Sequence, residues 1–195
     1  FKLELKLKIP KNILLSDFYH LNFRCQEGIN HGPAIMVWMH PPVHRVLGLI
    51  TKESNLSLSR NVWRLNQIAA ITKDQVFIKG KSAYSDQSTL EQFPTLINAN
   101  ILNKKSQKLG SIVDLVFESM TGKILYYLIS RSNPKLPGTS RWSFKIDHIT
   151  DQQPGAILSN LNSLDDLPLV KASIKEEFLQ KSRHWKTQIE DITNK

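Results

Sequence analysis

Alternating apolar and charged positions predict strands from the start of the chain. Leu3 and Leu5 alternate with lysine and glutamate up to Pro10, which is the period of a half-buried strand. The apolar runs 34–39 and 46–51 are separated by a turn with two prolines, which cannot donate hydrogen bonds to a sheet, so they predict a hairpin. This pattern predicts mainly β structure ahead of the tail.

The strand pattern occurs twice. A shift of 78 positions places Gly32 on Gly110 and aligns the apolar strands that follow each of them. A further slip of one residue brings Trp63 onto Trp142, as expected for an insertion in a turn. A duplicated unit of about 45 residues predicts two copies of one small β domain.

The tail has the period of a helix instead. Asp165 and Asp166 precede Pro168, and acidic residues and proline are favoured where a helix begins. Apolar residues then recur at helical steps, at Val170, Ile174, Phe178, Trp185, Ile189 and Ile192. We therefore predict a long amphipathic helix that packs either across both domains or on a partner.

Composition is that of a folded chain with a sizeable core. The 195 residues are 41% hydrophobic, yet no apolar run reaches the roughly 18 to 20 residues that a membrane-spanning helix needs. Cys25 is the single cysteine, so no internal disulfide is expected. The opening residues do not resemble a secretory signal, and Phe1 at the start leaves open a removed targeting segment.

The net charge of +9 favours acidic partners. RNA, an anionic lipid or an acidic protein face would each be attracted to such a chain. The alternative is a solubilising lysine-rich surface, since no run of five or six basic residues concentrates the charge.

The second copy resembles a PRC-barrel domain. Gly110 opens a strand, Asp114 follows four residues later, and Gly122 stands in the turn before a second apolar strand, Lys123–Ser130. The first copy departs from this pattern, since Met36 stands at the position of Asp114. The two-barrel layout is most similar to uncharacterised double PRC-barrel proteins of cyanobacteria and plastids.

The resemblance, together with the helical period of the tail, predicts a fold class that is mainly β, with two tandem small PRC-barrel-like β-barrels followed by a long C-terminal α-helix. The expected segments are an extra N-terminal strand (1–10), a first PRC-barrel-like domain (11–80), a linker (81–92), a second such domain (93–160) and the amphipathic helix (165–193).

The resemblance also implies a function. PRC-barrel domains occur in the photosynthetic reaction-centre H subunit and in ribosome-maturation factors, where they act as adaptors. It implies a non-enzymatic scaffold that docks a larger protein complex, with assembly or maintenance of a photosynthetic membrane complex as the expected role. The expected location is the cyanobacterial cytoplasm or the plastid stroma, including the periphery of the thylakoid membrane. The alternative is an RNA-binding or ribosome-maturation factor.

The first turn offers candidate partner contacts. His40, His44 and Arg45 lie around the proline pair, which would present them on a rigid tip. A zinc site is the alternative, but metal sites need three or four converging ligands, and the prolines prevent the helix that would align the two histidines. We expect no metal site and no cofactor.

A basic loop in each copy is the stronger candidate for partner binding. The second loop contributes Arg131, Lys135, Arg141 and Trp142, and its counterpart contributes Arg60 and Arg64. Arginine beside tryptophan suits stacking or bidentate binding of a carboxylate or phosphate. The alternative, which we favour for the tryptophans themselves, is that each fills the core of its own barrel.

Catalysis and small-molecule turnover find little support in the sequence. No serine lies in a glycine-flanked elbow, and the eight glycines are scattered singly instead of forming a phosphate-binding loop. For RNA, Trp38 and the pair Tyr126 and Tyr127 are the candidate stacking residues, but each lies in an apolar strand where core packing is expected.

Overall fold

The chain is mainly β, as predicted. The computed structural model describes residues 9–131 and 140–171. The strands are β1 (Asn12–Leu14), β2 (Asn22–Arg24), β3 (Asn30–His40), β4 (Arg45–Thr51), β5 (Ser59–Arg64), β6 (Ile68–Ile71), β7 (Gln75–Ile78), β8 (Ala83–Asp86), β9 (Asn100–Leu102), β10 (Lys108–Glu118), β11 (Ile124–Ser130), β12 (Arg141–Phe144), β13 (Ile149–Gln153), β14 (Ala156–Ser159) and β15 (Leu169–Lys171). One short α-helix, α1 (Gln87–Glu91), and single turns of 3-10 helix at Leu15–Tyr19, Pro41–Val43, Leu65–Gln67, Ile146–His148 and Leu164–Asp166 complete the described elements.

The strands form two sheets with the same internal order. The first sheet runs β6-β7-β2-β3-β4-β5-β8 and the second runs β13-β14-β9-β10-β11-β12-β15, with β1 added to β10. Strands β2 and β7 pair in parallel, and so do β9 and β14. Each strand of the first sheet therefore has a counterpart at the same place in the second.

The pairing registers correct the predicted match of the two tryptophans. Leu49 pairs with Trp63, whereas Tyr127, the counterpart of Leu49, pairs with Phe144. Phe144, which lies 81 positions after Trp63, is thus its structural counterpart, and the one-residue slip onto Trp142 is wrong. The longer connection between β11 and β12 accounts for the change of shift.

The predicted barrels take the form of open sheets in the described part of the chain. A closed barrel requires a hydrogen-bonded ladder between the two end strands of a sheet. Here the end strands are β6 and β8 in the first sheet and β13 and β15 in the second, and each pairs with a single neighbour.

The predicted C-terminal helix does not begin at residue 165. After a single 3-10 turn at Leu164–Asp166, Leu169–Lys171 forms β15 and pairs with β12. Backbone pairing with β12 thus prevails there over the helical spacing of apolar residues. The remainder of the predicted helix, from residue 172, lies outside the described residues, as does the predicted N-terminal strand up to residue 8.

The two sheets share one buried apolar cluster. Phe18, in the segment that opens the first sheet, lies 6.2 Å from Phe117 of the second, measured between ring centroids. In the other direction, the backbone N–H of Leu96 lies 3.4 Å from the Met39 sulfur in β3. The segment that precedes each sheet therefore packs on the other sheet.

The predicted linker 81–92 contains regular structure. It holds β8, which pairs with β5, and α1, which begins where the Asp86 carboxylate accepts a hydrogen bond from the Thr89 N–H at 2.8 Å. The division of the chain into two separate domains stays a prediction. No helix among the described residues is long and apolar enough to cross a bilayer.

Candidate functional site

An open groove lies on the face of the first sheet that points away from the shared core. It has a volume of about 560 Å³ and is lined by Trp38, Val62, Arg64, Asn66, Gln67, Lys81, Ser82, Ala83, Tyr84, Ser85 and Phe93. We call it the aromatic groove. Its lining combines three aromatic residues with an arginine and a lysine, and it includes no aspartate or glutamate.

A glycine separates two of the residues that line the aromatic groove. Gly48 of β4 pairs with Trp38 on one side and with Arg64 on the other, and directly paired residues share a face of the sheet. Gly48 itself is buried and is not among the residues that line the groove. A Cβ atom there would lie 2.1 Å from the Trp63 carbonyl oxygen, so the β4–β5 pairing itself requires glycine.

The second sheet has different residues at the corresponding positions. The counterpart of Gly48 is Tyr126, which pairs with Val116 where the first sheet has Trp38. Lys145, which follows β12 as Arg64 ends β5, precedes a 3-10 turn in the same way. The groove is thus a feature in which the two sheets differ on a shared framework.

Gln67 positions the cationic wall of the groove. Its side-chain oxygen accepts a hydrogen bond from the Arg64 N–H at 2.9 Å. Its side-chain nitrogen donates to the Lys79 carbonyl at 3.3 Å and to the Lys81 carbonyl at 2.9 Å. The connection that carries Lys81 is thereby held against the end of β5, while the Arg64 and Lys81 side chains remain exposed.

The aromatic wall is formed by residues from three segments. Trp38 of β3 and Phe93 lie with their ring centroids 6.2 Å apart and their planes tilted by 36°. Tyr84 of β8 is 72% exposed. Aromatic rings with one free face bind apolar or planar groups of a ligand, and nearby cations bind its negative charge.

The predicted contacts of the first turn are divided between the surface and the interior. His40 and Arg45 are exposed, whereas His44 is half-buried and its Nδ1 lies 2.8 Å from the Tyr127 hydroxyl. Burial lowers the pKa of His44. His44 therefore joins the two sheets and is not presented to solvent as the sequence predicted for the whole turn.

The predicted basic loops are engaged in internal contacts. The guanidinium of Arg60 is buried and donates to the carbonyls of Ser57 at 2.6 Å and Ser59 at 3.1 Å, and to the Gln87 side chain at 3.1 Å. Arg60 thus ties the β4–β5 loop to α1. Arg64 alone of the first loop's pair faces the aromatic groove.

In the second loop, the arginines also have internal partners. Arg131 lies 4.9 Å above the ring of Trp142 and donates to the Asp165 carboxylate at 3.0 Å. Arg141 lies 3.4 Å from the carboxylate of Asp114. Trp142 is buried, which is the placement that a core role predicts.

The sequence-predicted set is therefore not one site. Lys135 lies outside the described residues, and the others fall at the groove, at the first turn and around Trp142. Sequence reasoning missed Lys81, Tyr84 and Phe93 because they lie in or next to the segment taken as a linker. The glycine at position 48, inside an apolar strand, was the available signal for a close approach there.

Comparison with family models and with curated proteins finds no match to this sequence. Among the described residues, no group of three or more histidine, cysteine, aspartate or glutamate side chains is placed to hold a metal ion. The resemblance to PRC-barrel domains stays a prediction.

Proposed function

We propose that this chain is a non-enzymatic adaptor that binds an acidic segment of a partner protein in the aromatic groove. The observation that carries the proposal is the combination of the exposed Tyr84 and the half-buried Trp38 and Phe93 with two cations, Arg64 and Lys81, in a groove lined by no acidic residue. A carboxylate of the partner would bind the guanidinium in a bidentate manner, and its apolar side chains would pack on Trp38 and Tyr84.

The size and position of the groove support a peptide ligand. A volume of about 560 Å³ lies within the range of pockets that hold small ligands or a few side chains, roughly 300 to 1,000 Å³. Ala83 and Ser85 of the end strand β8 form part of the lining, so an extended segment would run beside main-chain groups as well as side chains.

The partner we propose is a subunit of a larger assembly. The likeness of the two strand patterns to PRC-barrel domains, which serve as adaptors, favours this class. Within it, assembly or maintenance of a photosynthetic membrane complex in the cyanobacterial cytoplasm or plastid stroma is the specific role that we propose.

A pulldown with matched variants tests the adaptor. Immobilised wild type, Arg64→Glu and Lys145→Glu are incubated with cyanobacterial or plastid lysate treated with ribonuclease, and bound proteins are identified by mass spectrometry. Lys145 is the exposed counterpart of Arg64 in the second sheet, so its variant has the same change of charge. We expect wild type and Lys145→Glu to retain an acidic membrane-complex subunit that Arg64→Glu loses. Equal retention by all three would contradict binding in the groove.

RNA binding is the second candidate, since the same lining favours it. Nucleic-acid bases stack on exposed aromatic rings, and Arg64 and Lys81 would bind phosphates. This candidate predicts retention of single-stranded RNA that weakens steeply with salt and is lost in Trp38→Ala. Absence of RNA binding at low salt would contradict this candidate. In the pulldown, retention of ribosomal particles that ribonuclease treatment releases from the immobilised chain would favour RNA binding over the adaptor.

A further inference from the structure

The tips of two hairpins, β3–β4 and β10–β11, meet edge to edge. The Val46 N–H donates to the Gly122 carbonyl at 2.7 Å, and the Ile124 N–H donates to the His44 carbonyl at 2.9 Å. The two bonds are related by the shift of 78 positions, so each is the counterpart of the other. We call this contact the hairpin junction.

The hairpin junction places two cations side by side. The pair between its two hydrogen bonds is Arg45 and Lys123, which form an antiparallel bridge. Residues opposed in this way, without direct hydrogen bonds to each other, have Cα atoms about 4.5 Å apart and side chains close together. Both residues are exposed, and neither forms an ion pair with a described residue.

The surroundings leave the positive charge in excess. The backbone of Lys11 is bonded to Ser119 beside the junction, and His40 pairs with Arg45. Glu118, an acidic residue at the end of β10, accepts a hydrogen bond from the Thr121 hydroxyl at 2.6 Å. Like charges directly opposed across strands are destabilising, so a bound anionic group would lower the free energy of the junction.

Exposed aliphatic side chains flank the cations. Val43 is 57% exposed and Met120 is 81% exposed, and they lie at the tips of the two hairpins, two and three residues before Arg45 and Lys123. Cations that meet phosphate groups, next to apolar side chains that enter the boundary between headgroups and acyl chains, are the combination found at an anionic lipid surface.

We propose that the hairpin junction docks this chain on an anionic membrane surface, with Arg45 and Lys123 binding lipid headgroup phosphates and Val43 and Met120 entering the interface. An RNA backbone would bind the same cations, but it would gain nothing from the aliphatic residues, and for that reason we commit to lipid. The proposal is independent of the aromatic groove.

Vesicle co-sedimentation tests the junction on the full chain. The probes are phosphatidylcholine vesicles with and without phosphatidylglycerol, and a structured RNA as the competing polyanion. We expect binding only to the anionic vesicles, weaker by about five-fold for each of Arg45→Gln and Lys123→Gln, because each basic residue at an anionic surface contributes about 1 kcal/mol. Raised salt is expected to weaken it further.

Two further variants distinguish binding to lipid from binding to other anions. The double variant Val43→Ser and Met120→Ser keeps every cation and is expected to weaken vesicle binding while leaving any RNA binding unchanged. Lys104→Gln with Lys105→Gln is the charge-matched control for Arg45→Gln combined with Lys123→Gln, since these exposed lysines lie at the opposite end of β10. Equal losses in the control and junction variants would overturn the proposal, as would binding to RNA without binding to vesicles. Circular dichroism of each variant confirms the fold.

Discussion

At the scale of single residues, Asp114 is a buried carboxylate that joins two parts of the chain. Its side chain is 1% exposed, and its Oδ1 accepts hydrogen bonds from the N–H groups of Ser16 at 3.1 Å and Leu115 at 2.9 Å. Burial raises the pKa of Asp114, while these hydrogen bonds and Arg141 act in the opposite direction. Because Ser16 belongs to the opening segment, this carboxylate joins it to the second sheet.

The role of Asp114 predicts a graded loss of stability. Asp114→Ala leaves two buried N–H groups without an acceptor, and we expect the free energy of unfolding to fall by about 2–4 kcal/mol. Asp114→Asn keeps an oxygen for both donors and loses only the contact with Arg141, so a fall of about 1 kcal/mol is expected. Urea unfolding measures both. Equal losses would mean that the charge, and not the acceptor oxygen, stabilises the contact.

His44 predicts a pH dependence whose sign follows from its burial. Since burial lowers the pKa of folded His44, the unfolded chain takes up the proton at a higher pH than the folded chain does. Stability is therefore full above the ordinary histidine pKa of about 6.5 and is lost as the pH falls below it. We expect the Tm of wild type to decrease from about pH 7.5 to 5.5 more than that of His44→Asn.

Asparagine is the substitution at position 44 because it can adopt the same backbone conformation as His44. His44 has a φ of 48°, in the left-handed region that asparagine tolerates. Tyr127→Phe is the control for the hydrogen bond, because it removes the hydroxyl but leaves His44 buried. Its pH dependence should match that of wild type, and an identical slope in His44→Asn would show that His44 is not the titrating group.

At the scale of elements, the hairpin junction depends on the glycine of the β10–β11 turn. Gly122 has a φ of 72°, and a Cβ atom there would lie 2.0 Å from the Val46 carbonyl oxygen of the other hairpin. Since that oxygen belongs to the backbone, relief would require the two hairpins to separate. The left-handed backbone at His44 is the counterpart of this turn in the first sheet.

A pair of glycine variants separates backbone strain from the junction. We expect Gly122→Ala to lower the free energy of unfolding by about 3 kcal/mol or more, from left-handed strain and the clash together. Gly155→Ala, at a φ of 73° with nothing within 4 Å of its added Cβ, should cost only the strain, about 1 kcal/mol. Urea unfolding of both variants measures these losses of free energy, and equal losses would contradict a tight junction.

The sequence predicted the long strands better than the short strands that pair with them. Apolar runs predicted β3, β4, β10 and β11, and the shift of 78 positions matches their pairing, because most residues of these strands are at least partly buried. The apolar runs did not predict β1, β8 or β15, each of three or four residues. Strands this short carry little periodic signal, and their pairing is determined by distant backbone. The helical spacing of apolar residues near residue 170 gave a wrong prediction for the same reason, because β15 is short and forms by pairing with the distant strand β12.

The candidate site shows the same limit. Arg64 was predicted from its place beside Trp63, but its partners in the groove, Lys81 and Tyr84, come from a segment whose polar composition suggested a linker. A polar composition indicates that a segment is exposed, but it does not indicate which sheet the segment joins. Trp38 and Arg64 come together in the groove because both pair with Gly48, which only the register of β3, β4 and β5 reveals.

At the scale of the whole molecule, the opening segments interlock the two sheets. Ile13 of β1 pairs with Phe117 in β10, and Leu96, ahead of β9, lies against Met39 in β3. The buried residues of both sheets form one continuous cluster. Neither sheet therefore keeps its full core if the other unfolds.

This interlocking predicts a single cooperative unfolding transition. Two variants, each retaining one tryptophan, report on the two sheets, since Trp63 lies in β5 and Trp142 in β12. In urea we expect the fluorescence midpoint of each variant to coincide with the midpoint of its own loss of circular dichroism. Ile157→Ala, which removes a fully buried side chain from β14, should lower stability by about 2–5 kcal/mol and shift both midpoints equally. A shift confined to the Trp142 reporter would instead mean that the sheets unfold separately, as two domains joined by a linker would.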